Sequence, residues 1–119
     1  MVGPLGGGLE GFVADHRVAP DQALRVDEVA RTASASYHLV QARTGERPHR
    51  HVAHDLTVFV LRGGGILTLG ATRIPLRAGD AALIPRDTVH WFANDGSAPA
   101  VALAVFTPPL DAPDSVPGD

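Results

Sequence analysis

From Tyr37 onward the chain is a succession of short apolar or alternating runs, each closed by turn residues. The runs are Tyr37–Ala42, Pro48–Val52, Leu56–Leu61, Ile66–Leu69, Thr72–Leu76, Ala81–Pro85, Val89–Ala93 and Val101–Thr107. Between most of them stand Thr44-Gly45, Gly63-Gly64-Gly65, Gly70-Ala71, Ala78-Gly79-Asp80 and Asn94-Asp95-Gly96-Ser97. A buried helix needs a 3.6-residue apolar period kept up over several turns, and no run has one. Short strands with turns about every 8–12 residues predict an all-β fold, an antiparallel jelly-roll or barrel with little helix. Runs such as Leu56–Leu61 and Ala100–Phe106 are apolar on both parities. They read as strands packed on both faces, one toward the interior and one toward another layer or subunit.

The rest of the chain is less patterned. Residues 1–8 are Gly-rich and read as a flexible segment, and residues 108–119 are rich in Pro and Asp and read as an extended tail. Val26–Arg31 has spacing that fits one or two helical turns. At 119 residues the chain has room for one domain, placed at residues 9–107. Its formal net charge is −3 and it has no basic stripe, which argues against nucleic acid as a partner. No apolar run approaches the ~18 residues of a membrane span, and no charged segment precedes an apolar one, so the expectation is a cytoplasmic protein with no membrane partner.

The missing residue types narrow the chemistry further. With no cysteine, thiolate catalysis and Cys-bound metal are excluded. With no lysine, Schiff-base chemistry and a P-loop are excluded. Histidines, carboxylates and hydroxyls remain. Three of the six histidines fall in Pro48-His49-Arg50-His51-Val52-Ala53-His54-Asp55. Residues i and i+2 of a strand share a face, about 6.6 Å apart. His49 and His51 can therefore lean onto one ion, at the ~2.0–2.1 Å that imidazole nitrogen prefers. The bland alternative is a solvated basic patch beside Arg43, Arg47 and Arg50.

The segment from Gly79 to Asn94 adds weight to the metal reading. Gly79, Pro85, His90 and Asn94 stand in the register G-x5-P-x-G-x2-H-x3-N, with Asp87 in place of the inner Gly. Asp tolerates a left-handed turn better than most residues. On these residues the chain resembles the cupin family, over roughly residues 37–107. The family's first motif, G-x5-H-x-H-x3,4-E-x6-G, is matched by His49, His51 and Gly63. Gly45 lies two residues too close to His49, and the Glu is absent: Asp55 or Leu56 falls at its place. The resemblance implies a small jelly-roll barrel with a divalent metal inside, held by His49, His51 and His90. Asp55 is the candidate fourth ligand. His54 is the alternative, because it faces inward if Leu56 does. Either of the two, if not on the metal, becomes the candidate catalytic base.

The metal could be Fe, Zn, Mn or Ni. Two function classes follow. One is a metal-dependent enzyme, of dioxygenase or isomerase/lyase type, acting on a small oxygenated molecule. The other is a non-catalytic binding or sensor protein. The resemblance also implies a homodimer, with Phe12–Val18 or Leu24–Val29 as an exchanged strand. Other readings are more ordinary. His16 and His38 read as surface or interface residues and Phe59 as core. Trp91 faces away from His90, Asn94 closes its turn, and Asp111 and Asp114 lie in a solvated tail.

Overall fold

The computed structural model describes residues 8–118; the flexible segment expected at residues 1–8 lies, apart from Gly8, outside them. All eight expected strands are present, and one strand is added at each end of the series, eight residues long at the first end and three at the second. They are β1 (Leu24–Arg31), β2 (Ser36–Ala42), β3 (His49–His51), β4 (Asp55–Arg62) and β5 (Gly64–Leu69). The rest are β6 (Thr72–Arg77), β7 (Ala81–Ile84), β8 (His90–Asn94), β9 (Ala100–Thr107) and β10 (Ser115–Pro117). They form two antiparallel five-stranded sheets, in the orders β1-β2-β9-β4-β7 and β10-β3-β8-β5-β6, a cupin-like jelly-roll arrangement. The one helix among the described residues is α1 (Leu9–Asp15).

The apolar residues on both parities explain how the layers stack. Leu56, Val60, Ile84, Ala104 and Phe106 of the first sheet meet Leu67 and Leu76 of the second in the interior. The opposite face of the first sheet offers Val29, Leu39 and Val101, and Phe12 of α1 packs on it. Burying apolar area on both sides contributes about 25 cal/mol per Å² of surface removed from water. The helix covers only part of that outer face. Phe59 and Leu83 stay exposed, at 42% and 61%. Phe59 is therefore not core as expected, since in β4 it alternates with the buried Leu56 and Val60.

Val26–Arg31 is strand and not helix. It pairs with β2 from Leu24↔Ala42 to Arg31↔Ser36, with a register shift between Glu28 and Ala30. The irregularity breaks the two-residue period and leaves a helix-like spacing of apolar residues. Of the segment Phe12–Val18, residues 12–15 lie in α1 and not in a strand. Leu24–Val29 pairs within its own chain.

The Gly63-Gly64-Gly65 break is narrower than it reads. Gly63 has φ 70 and turns the chain, whereas Gly64 and Gly65 belong to β5. A Cβ on Gly65 would lie 2.1 Å from the Ala93 carbonyl oxygen, so glycine there permits close strand approach. Asp87 takes the left-handed turn expected of it, with φ 64, and its N–H donates to the His51 carbonyl at 2.7 Å. Asn94 closes its turn as expected, accepting from the Gly96 N–H and donating to the Ala98 carbonyl. His38 is not at the surface: it is buried, and its ring lies 2.9 Å from the Ser36 hydroxyl.

Candidate metal centre

Strand pairing brings the three motif histidines together. His49 on β3 lies directly opposite His90 on β8, and His51 is two residues along the same face. Ring centroids are 4.3 Å apart for His49–His90, 5.0 Å for His49–His51 and 5.5 Å for His51–His90. One ring nitrogen from each lies within 4.8 Å of the other two. This cluster can coordinate a divalent metal ion.

In each ring Nδ1 is already engaged. His49 Nδ1 donates to the Arg47 carbonyl at 2.7 Å, and His90 Nδ1 to the Thr88 carbonyl at 2.9 Å. His51 Nδ1 donates to Asp114 Oδ1 at 2.9 Å. A backbone carbonyl accepts only, and so does an ionised carboxylate, so each Nδ1 must carry the proton. In the neutral ring, Nε2 is then the bare nitrogen that a metal requires. Such outer partners fix the tautomer and orientation of a ligating imidazole. His90 Nε2 is buried with no hydrogen-bond partner among the described residues. An unsatisfied buried nitrogen costs about 1–3 kcal/mol, and a bound ion would remove that cost. The residues present fit a metal.

The electrostatics agree. Burial lowers the pKa of His90 to about 4, despite the opposing hydrogen bond to Thr88. Burial also lowers that of His51, against the pull of Asp114. Both shifts favour the neutral ring that a metal ligand must be.

Asp55 does not join the cluster. Leu56 is the residue that faces the interior at the missing Glu's place, so Asp55 alternates outward. Its Oδ1 accepts from the Arg86 N–H at 2.9 Å, and that bond, with the Arg86 side chain, lowers its pKa. His54 is buried as its parity suggests, yet both its nitrogens face oxygens: Asp114 Oδ2 at 2.6 Å and the Pro109 carbonyl at 3.2 Å. Neither residue is left free to act as a base at the cluster.

Two other carboxylates stand against the histidines instead. Glu46 lines the same cavity and sets Oε2 3.7 Å from His49 Nε2. Its pKa is raised by burial, against the pull of His49. Gly45, with φ 148, bridges to Ala93, and the next N–H, of Glu46, donates to the Phe92 carbonyl at 3.0 Å. Its position before His49 was the available signal, outside the motif's spacing. Asp114 is the second. It is not solvated: its side chain is 9% exposed, and it accepts from His51, His54 and the Ala53 N–H. Burial works to raise its pKa, but the hydrogen bonds from His54, His51 and Ala53 bring it down to about 2. Strand β10, inside the expected tail, pairs with β3 from Ser115↔His51 to Pro117↔His49 and holds Asp114 there.

A family model described as "Cupin domain" matches residues 36–106. An uncharacterized protein of Aquifex aeolicus (strain VF5) is 41% identical over 95 residues, covering 80% of this chain and 78% of its own. Among solved structures, KdgF from Halomonas sp. is similar at 24% identity and TM-score 0.68, over 76% of this chain and 84% of that one. Streptomyces PAC13 with uridine is similar at 20% identity and TM-score 0.67, over 79% and 76%. These two likenesses concern the fold. No helix among the described residues is long and apolar enough to cross a membrane.

Proposed function

Because the chain belongs to the cupin family, we propose that it binds a divalent transition metal through His49, His51 and His90 and works there on a small oxygenated molecule. The observation that carries this reading is the set of three Nε2 atoms, each freed by an anchored Nδ1. Bound there, an ion of the Zn, Mn, Fe or Ni class supplies Lewis-acid polarisation of an oxygen ligand. The three histidines, which line the cavity, would hold it. Glu46, which lines the same cavity with Oε2 3.7 Å from His49 Nε2, is in this reading the group that takes or returns a proton at a ligand's oxygen or adjacent carbon. That carboxyl favours isomerase- or lyase-type proton transfer over dioxygen chemistry. The alternative is a protein that holds its ligand without turning it over.

Metal analysis of untagged protein tests the reading. The expected result is close to one divalent ion per chain, lost in His90→Ala. Trace metal in the wild type that divalent salts do not raise would overturn it.

We also propose a homodimer, formed through the part of the first sheet that α1 leaves open, around Phe59, Leu61 and Leu83. Sedimentation should give twice the chain mass, and Leu83→Glu should yield the monomer. A wild-type monomer at micromolar concentration would refute this.

A further inference from the structure

The cavity beside the three histidines has a volume of about 460 Å³, inside the ~300–1,000 Å³ range of small-ligand sites. Its wall divides into a polar cluster and an apolar remainder. Glu46, His49, His51, His90 and Ser115 are its polar residues, and every other residue lining it is a hydrocarbon side chain. Val58, Val60, Leu67, Leu76, Ile84 and Phe92 are among them. Leu56 also lines it, at the place where the family motif carries a Glu. Among the described residues no arginine, asparagine or glutamine reaches it, although the chain has ten arginines.

A polyhydroxylated ligand would lose water from each hydroxyl on entry and find no partner beyond the polar cluster. Each such group costs about 1–3 kcal/mol, or roughly ten- to a hundredfold in affinity. A hydrocarbon body is favoured by the same wall. We propose that the ligand class is an amphiphile: one compact chelating oxygen head for the metal and Glu46, on an apolar, aliphatic or aromatic body that fills the cavity. The proposal rests on the metal-site reading for its head and on the cavity wall for its body.

Three hydroxamic acids with one head and different bodies separate the two parts: acetohydroxamic, octanohydroxamic and gluconohydroxamic acid. Calorimetry on the zinc-loaded full chain gives their affinities, and the same titrations are run on metal-free protein. Each buried methylene tightens binding about fourfold, so burying four of the extra methylenes of octanohydroxamate gives about a two-hundredfold advantage over acetohydroxamate. The gluco compound should bind no better than the aceto one. Ala104→Leu, which adds bulk to the cavity wall, should cut the octano advantage at least about tenfold while leaving acetohydroxamate unchanged. Ala102→Leu serves the same purpose if the first variant does not fold.

Equal affinity for the octano and aceto compounds in the zinc-loaded protein overturns the apolar body and leaves the metal reading standing. So does a gluco compound that matches the octano one, or an advantage untouched by both cavity-filling variants. If zinc does not bind but metal-free protein still prefers the octano compound in a way the filling variant abolishes, the body is upheld and the metal reading falls.

Discussion

Asp114→Asn is the change that most directly tests how the metal centre is held. Oδ2 of Asp114 accepts from both His54 Nδ1 and the Ala53 N–H, while Oδ1 accepts from His51 Nδ1 alone. An asparagine keeps its oxygen on the side with two donors and turns its NH2 toward His51. Two donors then face one another, unless His51 moves its proton to Nε2. That tautomer cannot ligate, so metal uptake must work against the new hydrogen bond. Loss of such an outer partner costs about ten- to a hundredfold in metal affinity, or about 1.4–2.8 kcal/mol. The carboxylate's own worth gives a second figure. Its pKa falls from 3.8 to about 2, which corresponds to about 2 kcal/mol of stability. Because the folded value is the lower one, that stability is fully present above pH 3.8 and is lost as pH falls through about 2. The assay is zinc competition against a chromogenic chelator near neutral pH, with urea denaturation of the metal-free protein alongside. His54→Gln is the control: its amide still donates to Asp114 and leaves the His51 tautomer alone. A folded Asp114→Asn protein within about threefold of wild-type affinity would refute the tautomer argument, as would an equal loss in His54→Gln.

Three further outcomes follow. Metal-free protein should lose stability as pH falls from 6.5 toward 4, because the unfolded chain protonates His90 over that window while the buried ring stays neutral. The loss attributable to this residue is about 3 kcal/mol, and thermal melts of His90→Leu should lack that part of the slope. Asp55→Asn should leave metal content and affinity unchanged, because its carboxylate is held by Arg86 on the outward side; an affinity loss of about tenfold in the same chelator assay would put it on the metal. Gly65→Ala should destabilise by about 2 kcal/mol or more, since its methyl would meet the Ala93 carbonyl at 2.1 Å, and denaturation midpoints check it.

Alternation and turn chemistry carry far in this chain because neighbouring residues decide them. The strands from Ser36 to Thr107, the left-handed Asp87 and the meeting of His49, His51 and His90 all follow from local pattern plus antiparallel pairing. Phe59 was misread because an apolar run looks the same from either face; the side on which α1 lands decides which residues are covered. β1 was misread because its register irregularity imitates a helical spacing. Asp114 had no local signal at all. Its partners lie 60 and 63 residues earlier, and an Asp among prolines has the composition of a solvated tail. Glu46 was visible as a residue and missed as a participant, because the motif looks for its carboxylate on the other side of the histidines.

The dependence of β3 on β10 also sets an order of events during synthesis. The strands bearing His49, His51 and His90 leave the ribosome before residues 108–118 do. Until residues 108–118 arrive, the His51 ring has no carboxylate to select its tautomer, and β3 has only its single register pair with β8. A nascent chain can therefore close most of its sheets and still be unready for metal. Ions that meet it early would encounter an unfinished cluster, completed once residues 108–118 are in place. A protease cut after Pro109 would return a mature molecule to that immature condition with its three motif histidines still in place.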